Sequence, residues 1–380
     1  MTQPAPLDLT ISQRRILDLV RRNSEITRAD LVPLTGLTAG AISRLVRELL
    51  DVKVLREMPR ISGMRGQPAL PLAIEGAGGI SIGIAFPYGG LDLVVLDYSG
   101  KLLAEKSLPF DGRDPSELRR ILSTQLEHLL DTADVAGKRI VGIGLAIPGH
   151  LRTDGSNEFV IPPTLDWLDT EKLTVWLSKA YNSFVFIENI ANAAAISEVY
   201  ATADTTPNDL AVINLGHGVG LGLMLSGRIH RGAGGLAGEI GSLFPLLQPR
   251  PSGHDLLTAM RSAGRQLDDI DELNRYAQSN DVVIDAWVLR AAQQLFPVVR
   301  MLHLMTAPER IVLTGMLPTT ITGPLAEKLT AHMSAETPVT PLYPTRITAS
   351  NIGIRSNAIG AAWLPIESEG WDGKDHAKRS

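Results

Sequence analysis

Residues 211–242 read AVINLGHGVGLGLMLSGRIHRGAGGLAGEIGS, and ten glycines fall within the last 29 positions of this stretch. Glycine at that density destabilises a helix or the interior of a regular strand, so the stretch calls for another explanation. AVINL predicts a buried strand, GHGVG predicts a turn whose backbone can approach a ligand, and LGLML with SGRIHRG predicts a hairpin closed at Ser226-Gly227. The glycines by themselves leave two interpretations open, tight turns alone or a ligand-binding loop.

The composition is that of an ordinary globular protein. The chain has 380 residues, of which 44% are hydrophobic and 20% are charged, and this length suffices for two or three domains with sizeable cores. The absence of cysteine excludes disulfides, thiolate catalysis and cysteine-bound zinc. The sequence shows no N-terminal signal pattern and no apolar run of roughly 18 residues, so we expect a cytoplasmic protein without a membrane segment.

Charge is distributed unevenly along the chain. Residues 1–75 carry 11 Lys and Arg against 8 Asp and Glu, whereas the whole chain has a net charge of −5. A mildly basic head therefore precedes an acidic body, which favours a nucleic-acid contact confined to the head.

The head carries the pattern of three short helices. Ser12 can cap the first helix, and Thr27 with Asp30 forms a capping-box pattern for the second. Gly36 marks a turn, after which Thr38 can cap a third helix, AGAISRLVRELL. A glycine turn before the last of three helices is the helix-turn-helix pattern.

The third helix has an apolar face and a small or basic face, and a basic hairpin follows it. VLREM and ALPLAI predict the two strands of this hairpin, which has the pattern of a wing. We therefore expect a winged helix-turn-helix domain that binds DNA, although a helical packing module with merely solvated arginines is the alternative. The DNA contacts predicted from this pattern are Thr38, Gly40, Ser43, Arg44, Arg47, Arg60 and Arg65.

Beyond a glycine-rich linker at residues 76–79, the body repeats one plan. ISIGIAF, LDLVVLD and KLLAEKSL predict three antiparallel strands, a helix follows, and RIVGIGLAIPG and FVFIEN predict two further strands before a helix from Ala191. The glycine-rich stretch repeats that order, with Ser226-Gly227 in the place of Ser99-Gly100. The sequence therefore predicts two related α/β lobes with a ligand in the crevice between them.

Two expectations concern the end of the body. A helix over residues 281–296 is predicted to break near Pro297, since proline disrupts a helix interior. The charged tail from Glu367 is predicted to be disordered.

VGIGLAIPG, ENIANAAA and GLAGEIGS, with the glycine-rich hairpin and the winged-helix pattern, resemble the ROK family of repressors and kinases, in particular its repressor branch. The resemblance covers roughly residues 12–364. It implies a two-lobed actin-like, ribonuclease-H-like α/β body behind the winged helix-turn-helix domain. The implied domains are residues 1–75 for DNA binding, 76–188 with 356–366 for the first lobe, and 189–355 for the second lobe with the hairpin and effector site.

The wing loop is also similar to that of the family. Arg65-Gly66-Gln67-Pro68 resembles the family's glycine-arginine-proline loop, with Gln67 where arginine is usual. The resemblance therefore adds Gln67 to the predicted DNA contacts.

At two positions that serve catalysis in the family's kinases, this chain has residues that lack the required groups. Ile190 stands where the kinases have the aspartate that deprotonates the sugar hydroxyl, and general-base catalysis contributes about 10²- to 10⁴-fold. The first phosphate loop, usually Asp-x-Gly-Gly-Thr, reads Ala85-Phe86-Pro87-Tyr88-Gly89 and supplies no carboxylate for Mg²⁺. We therefore expect neither enzymatic activity nor a cofactor.

The zinc loop of the family is altered as well. The Glu-x-Gly-His segment reads Glu239-Ile240-Gly241-Ser242, and QPRPSGHDLL replaces the cysteine-rich loop. His217 and His254 remain, but two histidines without a third ligand at metal spacing are typical of loop histidines. We expect no structural zinc.

The surviving polar positions predict an effector site. Glu239 and Asn189 match sugar-contacting positions of the family, and Thr164 stands where the family has an asparagine. Carboxylates and amides suit sugars because each can engage adjacent hydroxyls in a fixed geometry. Glu239 and Asn189 can instead be purely structural, for example as a cap or a pair. The predicted effector-binding residues are Thr164, Asp166, Asn189, Glu239, Ser242 and Asp255.

These observations predict a sugar-responsive transcriptional regulator, and we expect a repressor. Its partners would be a double-stranded DNA operator and a sugar or sugar-like effector, and we expect a homodimer or a dimer of dimers. Two alternatives stay open, a sugar kinase with a fused DNA-binding head and a DNA-binding architectural protein that senses no effector. Coupled ATP turnover tests the first alternative, and ligand-induced thermal shifts test the second.

Overall fold

The structure is a computed structural model, and it describes most of the chain. The described residues are 7–23, 25–59, 70–87, 89–110, 112–152, 156, 158–200, 209–245, 247–267, 270–335 and 345–369. The predicted wing contacts Arg60, Arg65 and Gln67 lie outside them, so their DNA-binding role stays a prediction.

The head consists of three helices and a two-stranded antiparallel sheet, as predicted. Its elements are α1 (Ile11–Arg22), α2 (Arg28–Thr35), α3 (Ala39–Asp51), β1 (Leu55–Glu57) and β2 (Leu72–Ile74). Thr27 and Thr38 cap α2 and α3, and Gly36 ends α2 in the left-handed conformation, as the sequence indicated. The predicted cap Ser12 is wrong, because Thr10 accepts the capping bond from the Gln13 amide at 3.3 Å and Ser12 lies inside the first turn.

The first lobe is built on a five-stranded mixed sheet of order β5-β4-β3-β6-β9. Its elements are β3 (Ile80–Ala85), β4 (Gly90–Asp97), β5 (Leu102–Pro109), α4 (Pro115–Thr132), β6 (Ile140–Ile147), β7 (His150–Leu151), β8 (Phe159–Val160), α5 (Thr170–Tyr181) and β9 (Val185–Asn189). Strand β4 is antiparallel to β3 and β5, whereas β6 is parallel to β3 and β9.

The second lobe repeats this topology in the order β12-β11-β10-β13-β14. Its elements, with the helix before them and the closing helix, are α6 (Ile190–Tyr200), β10 (Leu210–Leu215), β11 (Val219–Leu225), β12 (Arg228–Ile229), α7 (Gly253–Ser262), α8 (Ile270–Gln278), α9 (Val282–Thr306), β13 (Arg310–Gly315), α10 (Thr319–Ala335), β14 (Arg346–Ala349) and α11 (Ser356–Glu369). Strand β11 is antiparallel to β10 and β12, and β13 is parallel to β10 and β14. The two lobes are therefore related, as the repeated sequence order predicted.

Helices α6 and α11 pack against each other between the two sheets, α11 on the first and α6 on the second. Glycines permit the close approach. A Cβ at Gly83 or Gly144 would collide with backbone of α11, and one at Gly222 would collide with the carbonyl oxygen of Ala191 in α6. Gly360 of α11 lies in the same way against the α6 backbone. Part of the glycine density therefore serves packing rather than ligand binding.

Two expectations about the last helices are wrong. Helix α9 continues through Pro297 to Thr306, because the proline is on the exposed side, where the carbonyl group of residue 293 can bond to water. Helix α11 reaches Glu369, whose carboxylate pairs with Arg139 at 2.5 Å. This buried ion pair orders the residues at the start of the predicted disordered tail.

Helix α9 is long and apolar enough to cross a membrane by length and composition alone. Its inner face, which includes Trp287, Val288 and Leu295, is buried in the core of the second lobe. A core helix satisfies the same criteria, so this helix gives no support for a membrane segment.

Candidate functional site

The exposed side of α3 is the candidate DNA-reading surface. The predicted contacts Thr38, Gly40, Ser43, Arg44 and Arg47 are all exposed on this side, whereas the apolar residues of the helix are buried. The N-terminal part of such a helix enters the major groove in helix-turn-helix proteins. The fold thus presents the residues as the sequence predicted, and their contact with bases stays a prediction.

A short polar chain positions one of these arginines. Arg44 donates to Glu48 at 3.0 Å, and the other carboxylate oxygen of Glu48 accepts a bond from Gln13 of α1 at 2.9 Å. The Arg44 side chain is 68% exposed, so this ion pair contributes little and the guanidinium is available to a base or phosphate. These hydrogen bonds were not predicted from the sequence, although the i,i+4 spacing of Arg44 and Glu48 is a recognisable signal for an ion pair.

Asn189 lies at the end of β9, at the carboxyl edge of the first sheet. Its side-chain oxygen accepts bonds from the backbone N–H groups of Ala191 at 2.7 Å and Asn192 at 3.2 Å, which caps α6. Its amide donates to the carbonyl oxygen of Gly149. Asn189 therefore has a structural role, and this role leaves only one amide hydrogen for a ligand.

A buried ion pair beside Asn189 joins the two lobes. Glu188 is 1% exposed and accepts bonds from Arg231, at 2.5 Å and 3.1 Å, on the segment that follows β12. Its other oxygen accepts from the backbone N–H of Asn189 at 2.8 Å and from the Asn192 side chain at 2.9 Å. This pair was not predicted from the sequence, although an acidic residue inside the apolar strand FVFIEN is a signal for it.

The glycine-rich segment beyond Arg231 contacts the first lobe. A Cβ at Gly235 would collide with the carbonyl oxygen of Leu151 in β7, so the two backbones touch there. Glu239 follows four residues later, is exposed, and makes no capping bond. Ser242 is exposed in the following turn. Within the described part of the chain, the capping alternative for Glu239 has no support.

Thr164 and Asp166 lie on the first-lobe side of the junction. Thr164 belongs to a short 3₁₀ turn, Pro163–Leu165, four residues after β8, and Asp166 ends that turn. Both residues are exposed. Strand β7 pairs with β8 and contacts the glycine-rich segment at Ala233–Gly235, so it links the strand that precedes Thr164 to the segment that precedes Glu239.

Asp255 is held by protein partners. Its carboxylate accepts bonds from the Arg250 backbone N–H at 3.2 Å, from Trp287 Nε1 at 3.1 Å, and from Arg290. These contacts tie the start of α7 to α9. They give Asp255 a structural explanation that does not involve an effector.

His217 and His254 lie together at the other end of the glycine-rich hairpin. Their ring centroids are 4.4 Å apart, and the His254 N–H donates to the Gly216 carbonyl oxygen at 3.2 Å. Burial, together with the charges of His254 and Arg250, lowers the pKa of His217 to about 4. Among the described residues, no group of three or more His, Asp or Glu side chains is arranged to hold a metal ion.

Apolar side chains occupy the positions that correspond to the proton acceptor and the Mg²⁺-binding loop of the family's kinases. Ala85 ends β3 and is fully buried, Phe86 is 3% exposed, and Ile190 opens α6 directly after Asn189. None of these three side chains can accept a proton or bind Mg²⁺.

Comparisons with known proteins agree with this architecture. A model of the ROK family matches residues 81–246. A Sinorhizobium fredii protein designated y4fQ is 31% identical over 96% of this chain and 92% of its own length. The xylose repressor of Bacillus spizizenii is 26% identical, but the match spans 61% of this chain and 60% of the repressor. The Escherichia coli DNA-binding transcriptional dual regulator NagC is 21% identical over 61% of this chain and 57% of its own length.

Two solved structures share the fold. A ROK family transcriptional regulator, described as a homologue of the E. coli MLC protein, superposes with a TM-score of 0.67 and 19% identity, covering 95% of this chain and 96% of the other. A ROK family glucokinase from Streptomyces griseus, solved with glucose and AMPPNP, gives a TM-score of 0.62 and 20% identity over 75% of this chain and 99% of the kinase. The first likeness includes nearly the whole chain.

Proposed function

This chain belongs to the ROK family, and we propose that it is a cytoplasmic transcriptional regulator, a repressor, that binds an operator and responds to a sugar or sugar derivative. The observation that carries the proposal is the exposed basic face of α3 on a three-helix head docked against a two-lobed body. Relatives named as xylose repressor and NagC support the same function. We retain the predicted domain boundaries, with residues 1–75 as the DNA-binding unit.

For the effector, we propose a site at the junction of the lobes. Glu239 and Ser242 approach it from the second lobe and Thr164 and Asp166 from the first, and all four are exposed. Two carboxylates and two hydroxyls suit a polyhydroxylated ligand, because each can pair with neighbouring hydroxyl groups. Asn189 contributes by shaping the junction and through its remaining amide hydrogen. Asp255 is the weakest member of the set, since its carboxylate already binds three protein groups.

We propose that the chain does not catalyse phosphoryl transfer, although the fold is shared with sugar kinases. Ile190 and Ala85 occupy the positions where the family's kinases carry the proton acceptor and the Mg²⁺ carboxylate. Losing the base alone lowers the rate by about 10²- to 10⁴-fold. A coupled ATP assay over xylose, glucose and N-acetylglucosamine tests this, and sugar-dependent turnover at ordinary kinase rates of about 1–100 s⁻¹ would establish the kinase alternative.

We propose that the protein assembles as a homodimer or a dimer of dimers through α9. This helix exposes an apolar stripe at Leu289, Met301, Leu304 and Met305, with exposed fractions from 49% to 76%. A second copy of this chain covers such a stripe in a two-fold interface, and paired heads supply the two contacts that a unique operator needs. The operator is then an inverted repeat with half-sites about 34–36 Å apart or a multiple of that.

Selection from a random duplex library tests the proposed function. The full chain at fixed salt is expected to enrich an inverted repeat, and D-xylose or N-acetylglucosamine is expected to change the affinity for it. Enrichment of a sequence whose affinity responds to neither sugar, in a protein that neither sugar stabilises against heat, favours the architectural alternative. No enrichment above non-specific binding refutes DNA recognition.

A further inference from the structure

Helix α1 of the head contacts the part of the body that packs on the first sheet. Arg14 donates to the carbonyl oxygen of Ser368 in α11 at 2.8 Å. Tyr98 of the first lobe is fully buried within the core of the head, with the Arg21 guanidinium 5.1 Å from its ring centroid. The head is therefore seated firmly on the first lobe.

The same helix also reaches the second lobe. Arg22 donates to the carbonyl oxygen of Gly227 at 3.3 Å, and Asp18 orients this arginine through a bond of 2.9 Å to its Nε. Gly227 and Ser226 form the tight turn between β11 and β12, both with positive φ. The Ser226 N–H bonds to Asp209 at 2.8 Å, which fixes the turn to the start of β10. One helix of the head thus bridges both lobes.

The segment that begins at this turn ends at the interlobe junction. Three residues lie between Gly227, which contacts the head, and Arg231, which pairs with buried Glu188 beside the effector candidate Asn189. The charges of Arg22 and Arg231 both act on the carboxyl group of Glu367 in α11. Burial raises the pKa of Glu367, and the charges of Arg22 and Arg231 oppose that change.

We propose that residues 227–231 are a coupling segment that transmits movement between the lobes to the DNA-binding head, with Arg22 as the contact on the head. The inference rests on the proposed function, because it explains how an effector at the lobe junction alters DNA binding. When the lobes move relative to each other, the Glu188–Arg231 pair holds the end of the segment on the first lobe, while its start, the Gly227 turn and β12, moves with β11 and the second lobe. The turn at Gly227 then displaces α1, whose opposite side is held by the first lobe.

Distance measurements on labelled protein test the coupling segment without DNA or effector. The chain contains no cysteine, so Val52→Cys in the head can be paired with Lys328→Cys in the second lobe or with Lys179→Cys in the first, all three at exposed positions. Arg22→Ala is expected to broaden the distance distribution between head and second lobe and to leave that between head and first lobe unchanged. Arg15→Ala is the matched control, because the bonds that Arg15 donates to the carbonyl oxygens of Leu34 and Thr35 stay within the head.

Two results would overturn the proposal, unchanged distributions in both label pairs or equal broadening in both. Arg22→Gln serves as a second variant if Arg22→Ala does not fold. Where the parent's operator affinity responds to D-xylose or N-acetylglucosamine, Arg22→Ala is expected to bind that sugar normally and to lose most of a response that typically spans 5- to 150-fold. A parent that responds to neither sugar contradicts the proposed function, and the distance measurements still decide whether the segment couples head and lobe.

Discussion

The ion pair between Arg139 and Glu369 at the base of the head provides a sharp stability test. Both residues are under 10% exposed, and the guanidinium binds the carboxylate through two bonds of 2.5 Å and 3.1 Å. Arg139 also donates twice to the Gly78 carbonyl oxygen, at 2.9 Å and 3.1 Å. Arg139→Met removes these bonds and leaves a buried carboxylate without its partner, a change that costs about 3–5 kcal/mol.

Urea denaturation followed by tryptophan fluorescence measures this cost. The double variant Arg139→Met/Glu369→Leu is expected to recover most of the lost stability, because it removes the unpaired charge as well. Lys172→Met is the control, since Lys172 pairs with Asp169 at 2.9 Å on the surface and such pairs contribute about 0.2–1 kcal/mol. An Arg139→Met variant as stable as this control would refute the assignment of a buried, structural pair.

Three further outcomes follow from the same structure. Arg44→Ala is expected to weaken specific operator binding by about 1–3 kcal/mol if it reads a guanine, whereas Arg120→Ala, on the exposed surface of α4, leaves it unchanged; anisotropy titration at fixed salt decides. Gly222→Ala is expected to lose about 1–3 kcal/mol of unfolding free energy through collision with the α6 backbone, whereas Gly323→Ala, with open space around it, stabilises α10 by about 0.5–1 kcal/mol. Because the pKa of His217 is about 4 in the folded protein and 6.5 without the fold, the unfolded state binds the proton more strongly and stability falls as pH drops from 6.5 to about 4. His217→Asn should reduce that loss by less than about 1.4 kcal/mol per pKa unit, because the side chain is only partly buried and solvent screens its charge; equal acid profiles for parent and variant would contradict this expectation.

Local sequence signals predicted much of the fold. Capping residues such as Thr27 and Thr38 placed the starts of two head helices, and the repeated Ser-Gly turns identified two lobes of one topology. At the end of the body, one error arises at an exposed proline and the other at a distant ion pair. Pro297 does not end α9, and the Arg139–Glu369 pair holds residues that look like a charged tail.

The candidate site was predictable only in part. Motif positions pointed to Asn189 and Glu239, but the sequence could not show that Asn189 caps α6 whereas Glu239 is exposed. The Glu188–Arg231 pair joins residues 43 positions apart in different lobes, and neither neighbourhood alone indicates its partner. Packing of two lobes brings such charges together, so only the three-dimensional structure shows the link.

We propose that one protein reads DNA with its head and senses a sugar between its lobes. The most direct measurement is titration of the selected operator, at fixed salt, with and without D-xylose and N-acetylglucosamine, for the parent and for a Glu239→Ala variant that melts like the parent. We expect a sugar to change the parent's operator affinity by 5- to 150-fold and to leave the variant's affinity unchanged. A stable variant that responds as fully as the parent would remove Glu239 from the site, and a parent that responds to neither sugar would contradict the account.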